Sequence, residues 1–473
     1  MGMFTRGVLV LAAGFAGLTG CASFSKDGGL DAVRADAGAR LGRPIPAVST
    51  AAERESAAAE TATLLAQPLT VDDAVQLALL NNRGLQATYA ELGIAEADVV
   101  QAGRLPNPRF GTTRTRAGDT FKYETSVTFP IVELLTLPLA LRLERQRFEA
   151  VQLDVAQQVL RLGLETRKAW FRAVAAEQAV RYQEQVVEAA AAAAELATRM
   201  AERGNLNARD RMLEQAFHAA TAARLSSLQA EAVAAREWLT RTMGLDTDNA
   251  GYALAERLPD LPSAPPAVSE LEAFAVRERL DVRAAQRNAD AVARSLGLTK
   301  ATRFVDALEF GPASVMENGE ATKKGYTIGI EVPLFDWGGA RVARAEAQYR
   351  QAVSRIAAAA IDAQSEVRAA EATQRHAWEA ARRHRDEIVP LQQQISEENL
   401  LRYNGMLIGV FELLAGAREQ IAAVSGAIES LRDYWLAETA LREAVGGRLP
   451  GNAASSTRDV TFNPRLAQRL HQE

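Results

Sequence analysis

A single cysteine, Cys21, and four histidines are the residues of this 473-residue chain best suited to nucleophilic or metal chemistry. Their spacing supports neither. His376 and His384 lie eight apart in a helical stretch, while His218 and His471 stand alone. Two imidazoles that share an ion recur at i and i+4 with a third donor nearby. Beyond Met1 and Met3, the methionines are scattered singly, which gives no help to a soft-metal site. No catalytic group, metal site or cofactor is therefore expected. The net charge of -5 lacks the basic footprint of a nucleic-acid binder.

Cys21 gains its meaning from what precedes it. Arg6 and the apolar run Gly7 to Leu18 read as a signal peptide over residues 1–20, too short to span a bilayer. Leu18-Thr19-Gly20-Cys21 resembles the lipobox of bacterial lipoproteins, which implies lipidation of Cys21. By the same resemblance, Ala22 implies sorting to the outer membrane. No later run reaches the roughly 20 apolar residues of a membrane helix, so any spanning part must be β.

The elements that would surround such an anchor come in two copies. Phe121-Lys-Tyr-Glu-Thr-Ser-Val-Thr-Phe-Pro130 and Gly325-Tyr-Thr-Ile-Gly-Ile-Glu-Val-Pro333 are alternating runs that end in proline and lead into Ala-rich helical sequence. Each pairs with an earlier short run across Ala117-Gly118-Asp119 or Glu317-Asn318-Gly319-Glu320, as hairpins do. Strands of about ten residues with one apolar and one charged face suit a membrane barrel. Four strands cannot close one, since about eight is the small end. Several chains must contribute.

Heptads such as Val155, Val159, Leu162 and Thr166, then Gln183, Val187, Ala190 and Ala194, predict a helix from about 139 to 203. The expected division is a mostly irregular lead-in at 21–68, a first repeat at 69–258, a Pro-rich linker at 259–268, a second repeat at 269–447 and an irregular tail at 448–473. Thr70 and Ser269 are predicted helix caps, each with an acidic residue three on. The fold class is thus mainly α, a long coiled-coil helical body with four membrane strands per chain.

Leu105-Pro-Asn-Pro108, Val332-Pro-Leu-Phe-Asp-Trp-Gly338 and Arg402-Tyr-Asn-Gly405 with Phe411-Glu-Leu-Leu414 resemble the outer-membrane efflux (TolC) family over about residues 69–447. The first half departs from the pattern, because Pro130-Ile-Val-Glu lacks the Asp-Trp-Gly of the second. The resemblance implies a homotrimer that pools its strands into a twelve-stranded barrel above a helical tunnel. It also implies partners: outer-membrane lipid, a periplasmic adaptor protein and an inner-membrane efflux pump. The expected role is the exit duct for small molecules or metal ions, with a type I protein-secretion duct or a non-conducting structural lipoprotein as alternatives.

By that resemblance the helix breaks at Gly204, Leu206, Arg402, Gly405, Leu407 and Ile408 are expected to dock the adaptor. Glu397 and Glu398 are expected at the periplasmic entrance, where threefold symmetry would turn a glutamate into a cation-attracting ring. Pro106, Pro108, Pro130 and Pro333 mark the helix–strand junctions. Tyr123, Phe129, Tyr326, Phe335 and Trp337 are expected in interfacial aromatic girdles.

Overall fold

In the computed structural model, which describes residues 23–46, 50–246, 251–265, 270–304 and 307–449, long helices carry one small sheet. Cys21, the signal segment and the tail beyond 449 lie outside the described residues. In chain order the elements are α1 (Leu30–Leu41), α2 (Ala51–Leu65), α3 (Val71–Asn81), α4 (Arg83–Ala102), β1 (Arg109–Ala117), β2 (Thr120–Pro130), α5 (Ile131–Glu202) and α6 (Ala208–Met243). The second half continues with α7 (Leu271–Glu278), α8 (Leu280–Ala301), β3 (Leu308–Glu317), β4 (Lys323–Ile330), α9 (Gly339–Arg383), a π-helical turn (His384–Ile388), α10 (Val389–Asn404) and α11 (Val410–Ala444).

The lead-in is helical, contrary to the irregular segment that its weak apolar periodicity suggests. Thr50 and Glu53 close a capping box at the start of α2. In α1 the small residues Val33 and Ala37 are fully buried, so close approach replaces a wide apolar stripe. Arg40 then reaches the other end of the chain and donates to the Gly446 carbonyl at 3.0 Å. The segment clasps the body.

Thr70 caps α3 as its sequence predicts, with the Asp73 amide donating to Thr70 Oγ1 at 3.2 Å. Two helices, α3 and α4, then follow one another with a single residue between them. Asn82 sits between them in extended conformation and caps α4, its Oδ1 accepting the Leu85 amide at 3.0 Å. Its Nδ2 donates to the Thr242 carbonyl at 3.0 Å, which ties the break to the end of α6. Arg279 occupies the matching break between α7 and α8. It binds Asp281, Glu366 and the Ala444 carbonyl. Burial works against its charge, yet the two carboxylates hold the guanidinium above its ordinary value. Ser269 lies outside the described residues, and α7 begins at Leu271 after Glu270 in left-handed conformation.

Helix α5 runs 72 residues, roughly 110 Å at 1.5 Å per residue. Val155, Val159, Thr166, Ala169 and Ala173 are fully buried along the seam. Farther down, Val186 turns inward in place of Val187. Trp170 donates to the Leu69 carbonyl at 3.0 Å, and Phe171 stacks on Trp435 of α11 at 5.3 Å. That contact joins the two halves. In the second half the long helix contains Pro390, which has no amide for the i→i−4 ladder. The π-helical turn before it absorbs the mismatch.

The four strands form one antiparallel sheet in the order β1-β2-β3-β4. Both outer strands therefore keep an open edge.

Candidate functional site

The sheet sorts most of its large side chains by face. Pairing of Phe110 with Val127, Phe129 with Phe310 and Phe310 with Ile328 collects these residues, with Tyr123, Tyr326 and Ile330, on one side. Most of them are exposed, Tyr326 at 71 % and Phe110 at 69 %. The opposite side carries Arg109, Lys122, Glu124, Glu309, Glu317 and Lys323 by the same register. Those charges pair across strands: Arg109 with Glu309, and Lys323 with Glu317 at 3.0 Å. Thr128 adds a 3.0 Å hydrogen bond to Glu309. One face suits hydrocarbon and the other suits water.

The helix–strand junctions differ between halves. Pro106 and Pro108 lie in the loop between α4 and β1. Pro130 ends β2 opposite Glu309 and passes straight into α5 without a loop. Pro333 lies in an eight-residue link between β4 and α9, residues 331–338. There Asp336 Oδ1 accepts the Gly338 amide at 2.8 Å, and Gly338 takes φ 72° before α9. A Cβ on Gly338 would lie 2.7 Å from the Arg303 carbonyl oxygen, so this turn requires glycine. Phe335 and Trp337 stand exposed on it, Phe335 almost completely. Phe129, by contrast, is only part-exposed.

At the far ends of the long helices, two turns share one geometry. At the first, the Gly204 amide donates to the Ala201 carbonyl at 3.0 Å and the Asn205 amide to Met200 at 2.9 Å. At the second, Met406 donates to Tyr403 at 2.9 Å and Leu407 to Arg402 at 2.8 Å. Both are Schellman motifs, whose pivot is left-handed. Gly204 fills that position at φ 76°, but Gly405 does not, having φ −79°. Met406 takes the left-handed place at φ 59°. The sequence pairs Gly204 with Gly405, whereas the backbone pairs Gly204 with Met406 and Leu206 with Ile408. Leu206 and Ile408 are half-buried, while Met406 and Leu407 are exposed at 92 % and 77 % beside Arg402. The second turn is the apolar one.

Glu397 and Glu398 are both exposed on α10, one residue apart and hence about 100° apart around the helix. They are not equivalent. Glu398 accepts from Arg402 Nε at 3.0 Å, an ion pair four residues along. Glu397 accepts only the Gln393 amide at 3.3 Å among the described residues.

Sequence reasoning missed a link between the two halves near these turns. Arg418 of α11 donates to Glu214 of α6 at 2.7 Å, with the Glu214 side chain 3 % exposed. The Arg418 guanidinium also lies 4.3 Å from the Phe217 ring centroid. The partners are 204 residues apart, so no local pattern announces them. Among the described residues no three His, Cys, Asp or Glu side chains converge to hold a metal. No helix among them is long and apolar enough to cross a membrane.

No protein-family model and no curated protein matches this sequence. Solved structures do match the fold. The Campylobacter jejuni CmeC outer membrane channel aligns with a TM-score of 0.70 at 16 % identity, over 81 % of this chain and 87 % of that one. CusC, described for folding and transmembrane channel formation, aligns at 0.68 and 17 % identity, over 80 % and 92 % of the two chains. The outer-membrane channel OprN aligns at 0.67 and 20 % identity, over 80 % and 90 %. The chain has the fold of these outer-membrane channels.

Proposed function

We propose that this protein is the outer-membrane exit duct of a tripartite efflux system, working without catalysis of its own. The sheet carries the reading: one mainly apolar face, one charged face and two open edges, set on helices of roughly 100 Å. Open edges and an exposed apolar face are a liability in a lone chain. Closure with further copies removes both. Three copies make a twelve-stranded barrel with the charged face lining water and the apolar face meeting lipid. Helix α10 buries none of its residues within the chain although Leu391, Ile395, Leu400 and Leu401 are exposed on it, which supports neighbours packing there.

The two turns then dock a periplasmic adaptor, the second chiefly through Met406 and Leu407, and the adaptor links the duct to an inner-membrane pump. Cys21 tethers the chain to the outer membrane as a lipoprotein. Of the two glutamates, Glu397 is the one placed to project unneutralised charge at the periplasmic entrance.

Single-channel recording in planar bilayers tests the reading. The wild-type protein is expected to open cation-preferring pores. Glu397→Gln should weaken that preference more than Glu398→Gln, because Arg402 already offsets Glu398. A protein that never conducts, even with both glutamates replaced, is a structural lipoprotein instead.

A further inference from the structure

Arg114 and Arg116 stand on the face of the sheet that a pore would turn towards lipid. The register of β1 and β2 pairs Arg114 with Tyr123 and Arg116 with Phe121, on the side that also carries Phe110, Phe310 and Ile328. A cation on that face is costly at the bilayer midplane and nearly free at its edges. The depth of these residues follows from the strand rows. The lowest apolar row is Leu308 with Ile330, and the next on that face is Phe310 with Ile328 and Phe129. Counting along β2 from Phe129, Tyr123 is six residues higher and Phe121 eight. At about 3.4 Å per residue and about 40° of tilt, Arg114 lies about 21 Å and Arg116 about 26 Å above the lowest row. An outward apolar band is about 25 Å tall. Both guanidinium groups therefore sit at its upper edge, at headgroup depth.

Their surroundings favour a phosphate. The Arg114 guanidinium lies 4.4 Å from the Phe121 ring centroid and 5.4 Å from that of Tyr123. Arg116 lies 5.2 Å from Phe121, donates to the Gly118 carbonyl at 2.9 Å and has Asp119 at 4.0 Å. Stacking holds the Arg114 guanidinium by its face and leaves its N–H edge for a bidentate oxyanion, while Arg116 adds the N–H groups that it does not direct at Gly118 and Asp119.

We propose that Arg114 and Arg116 form a binding site for the phosphate headgroup of an anionic lipid in the outer leaflet. The proposal rests on the barrel reading above, which sets which face meets lipid.

Native mass spectrometry of the protein in neutral detergent tests it, with bis-phosphorylated lipid A, the same lipid without phosphates, and inorganic phosphate as probes. Wild type is expected to retain the phosphorylated lipid, and R114Q/R116Q to bind it about twenty-five-fold more weakly, at about fivefold per surface cation. A second variant, T113R/R114T/T115R/R116T, keeps the charge and moves it to the opposite face. It should lose the lipid as well. Full retention by that variant, equal binding of the dephosphorylated lipid, or displacement by equimolar inorganic phosphate would each overturn the site. Conductance in planar bilayers separates this result from the duct reading. Pores at wild-type level in variants that no longer retain lipid support both. A wild type that forms no pore refutes the duct, while phosphate-dependent retention lost in both variants would still support the headgroup site.

Discussion

Replacing Arg418 with alanine should loosen the two halves of the chain together. Glu214 is a carboxylate with 3 % of its side chain exposed, and Arg418 reaches it at 2.7 Å. Removing one partner of a buried ion pair costs about 3–5 kcal/mol, because the other charge stays buried alone. Arg418 itself is 32 % exposed, so water reaches the pair and lowers the cost to about 2–3 kcal/mol. Loss of the cation over Phe217 adds about 0.5–1 kcal/mol. The expected total for Arg418→Ala is about 3 kcal/mol, against about 1 kcal/mol for Glu214→Gln, which keeps an acceptor. Glu214→Leu combined with Arg418→Met should recover most of the loss, since a packed apolar pair commonly replaces a buried ion pair at no cost. Guanidinium denaturation of the detergent-solubilised protein, followed by helical circular dichroism, measures these three variants and the Glu214→Gln/Arg418→Ala double that closes the cycle. Hydrogen exchange adds the location: α6 and α11 near both turns should lose protection together. A coupling energy below about 0.5 kcal/mol, or a Leu–Met double variant as unstable as Arg418→Ala, would refute the reasoning.

Met406→Gly should stabilise the second turn by about 1 kcal/mol, because it removes a left-handed non-glycine residue. The same guanidinium denaturation reads it, and no gain would mean that the methionine side chain supplies compensating contacts. Gly311→Ala should disrupt the β2–β3 pairing, since the new Cβ would collide with the Val127 carbonyl oxygen. A shift from the proposed trimer to monomer in native mass spectrometry is the expected result. Asp27 accepts the Asp31 amide at 2.9 Å, which, with further backbone bonds, holds its carboxyl below the ordinary value. Its stabilisation of α1 is therefore present above about pH 4 and lost as pH falls through the lowered value. Asp27→Ala should cost about 1 kcal/mol at pH 7 and progressively less as pH falls through the lowered value, by hydrogen exchange within α1.

The sequence alone was enough for the repeated hairpin-and-helix plan, because both signals behind it are local. Alternation over residues 121–130 and 325–333 is a period of two, and the long Ala-rich seam is a heptad. Positions of the turns near 204 and 405 were equally legible, since a long helical pattern must stop somewhere that glycine and asparagine permit. What those turns are made of was not. Gly405 draws the eye, yet the left-handed pivot is Met406, because the hydrogen bonds that close a Schellman motif count back from the true end of α10. The lead-in helices were missed for the opposite reason: Val33 and Ala37 are too small to mark a stripe, and they bury only because α5 lies close. The unequal charge of Glu397 and Glu398 follows from which of them Arg402 reaches. The Arg418–Glu214 link and the face on which Arg114 and Arg116 stand depended on tertiary structure. A pairing across 204 residues leaves no trace in local spacing, and the facing of a strand is decided only by the register of its neighbours.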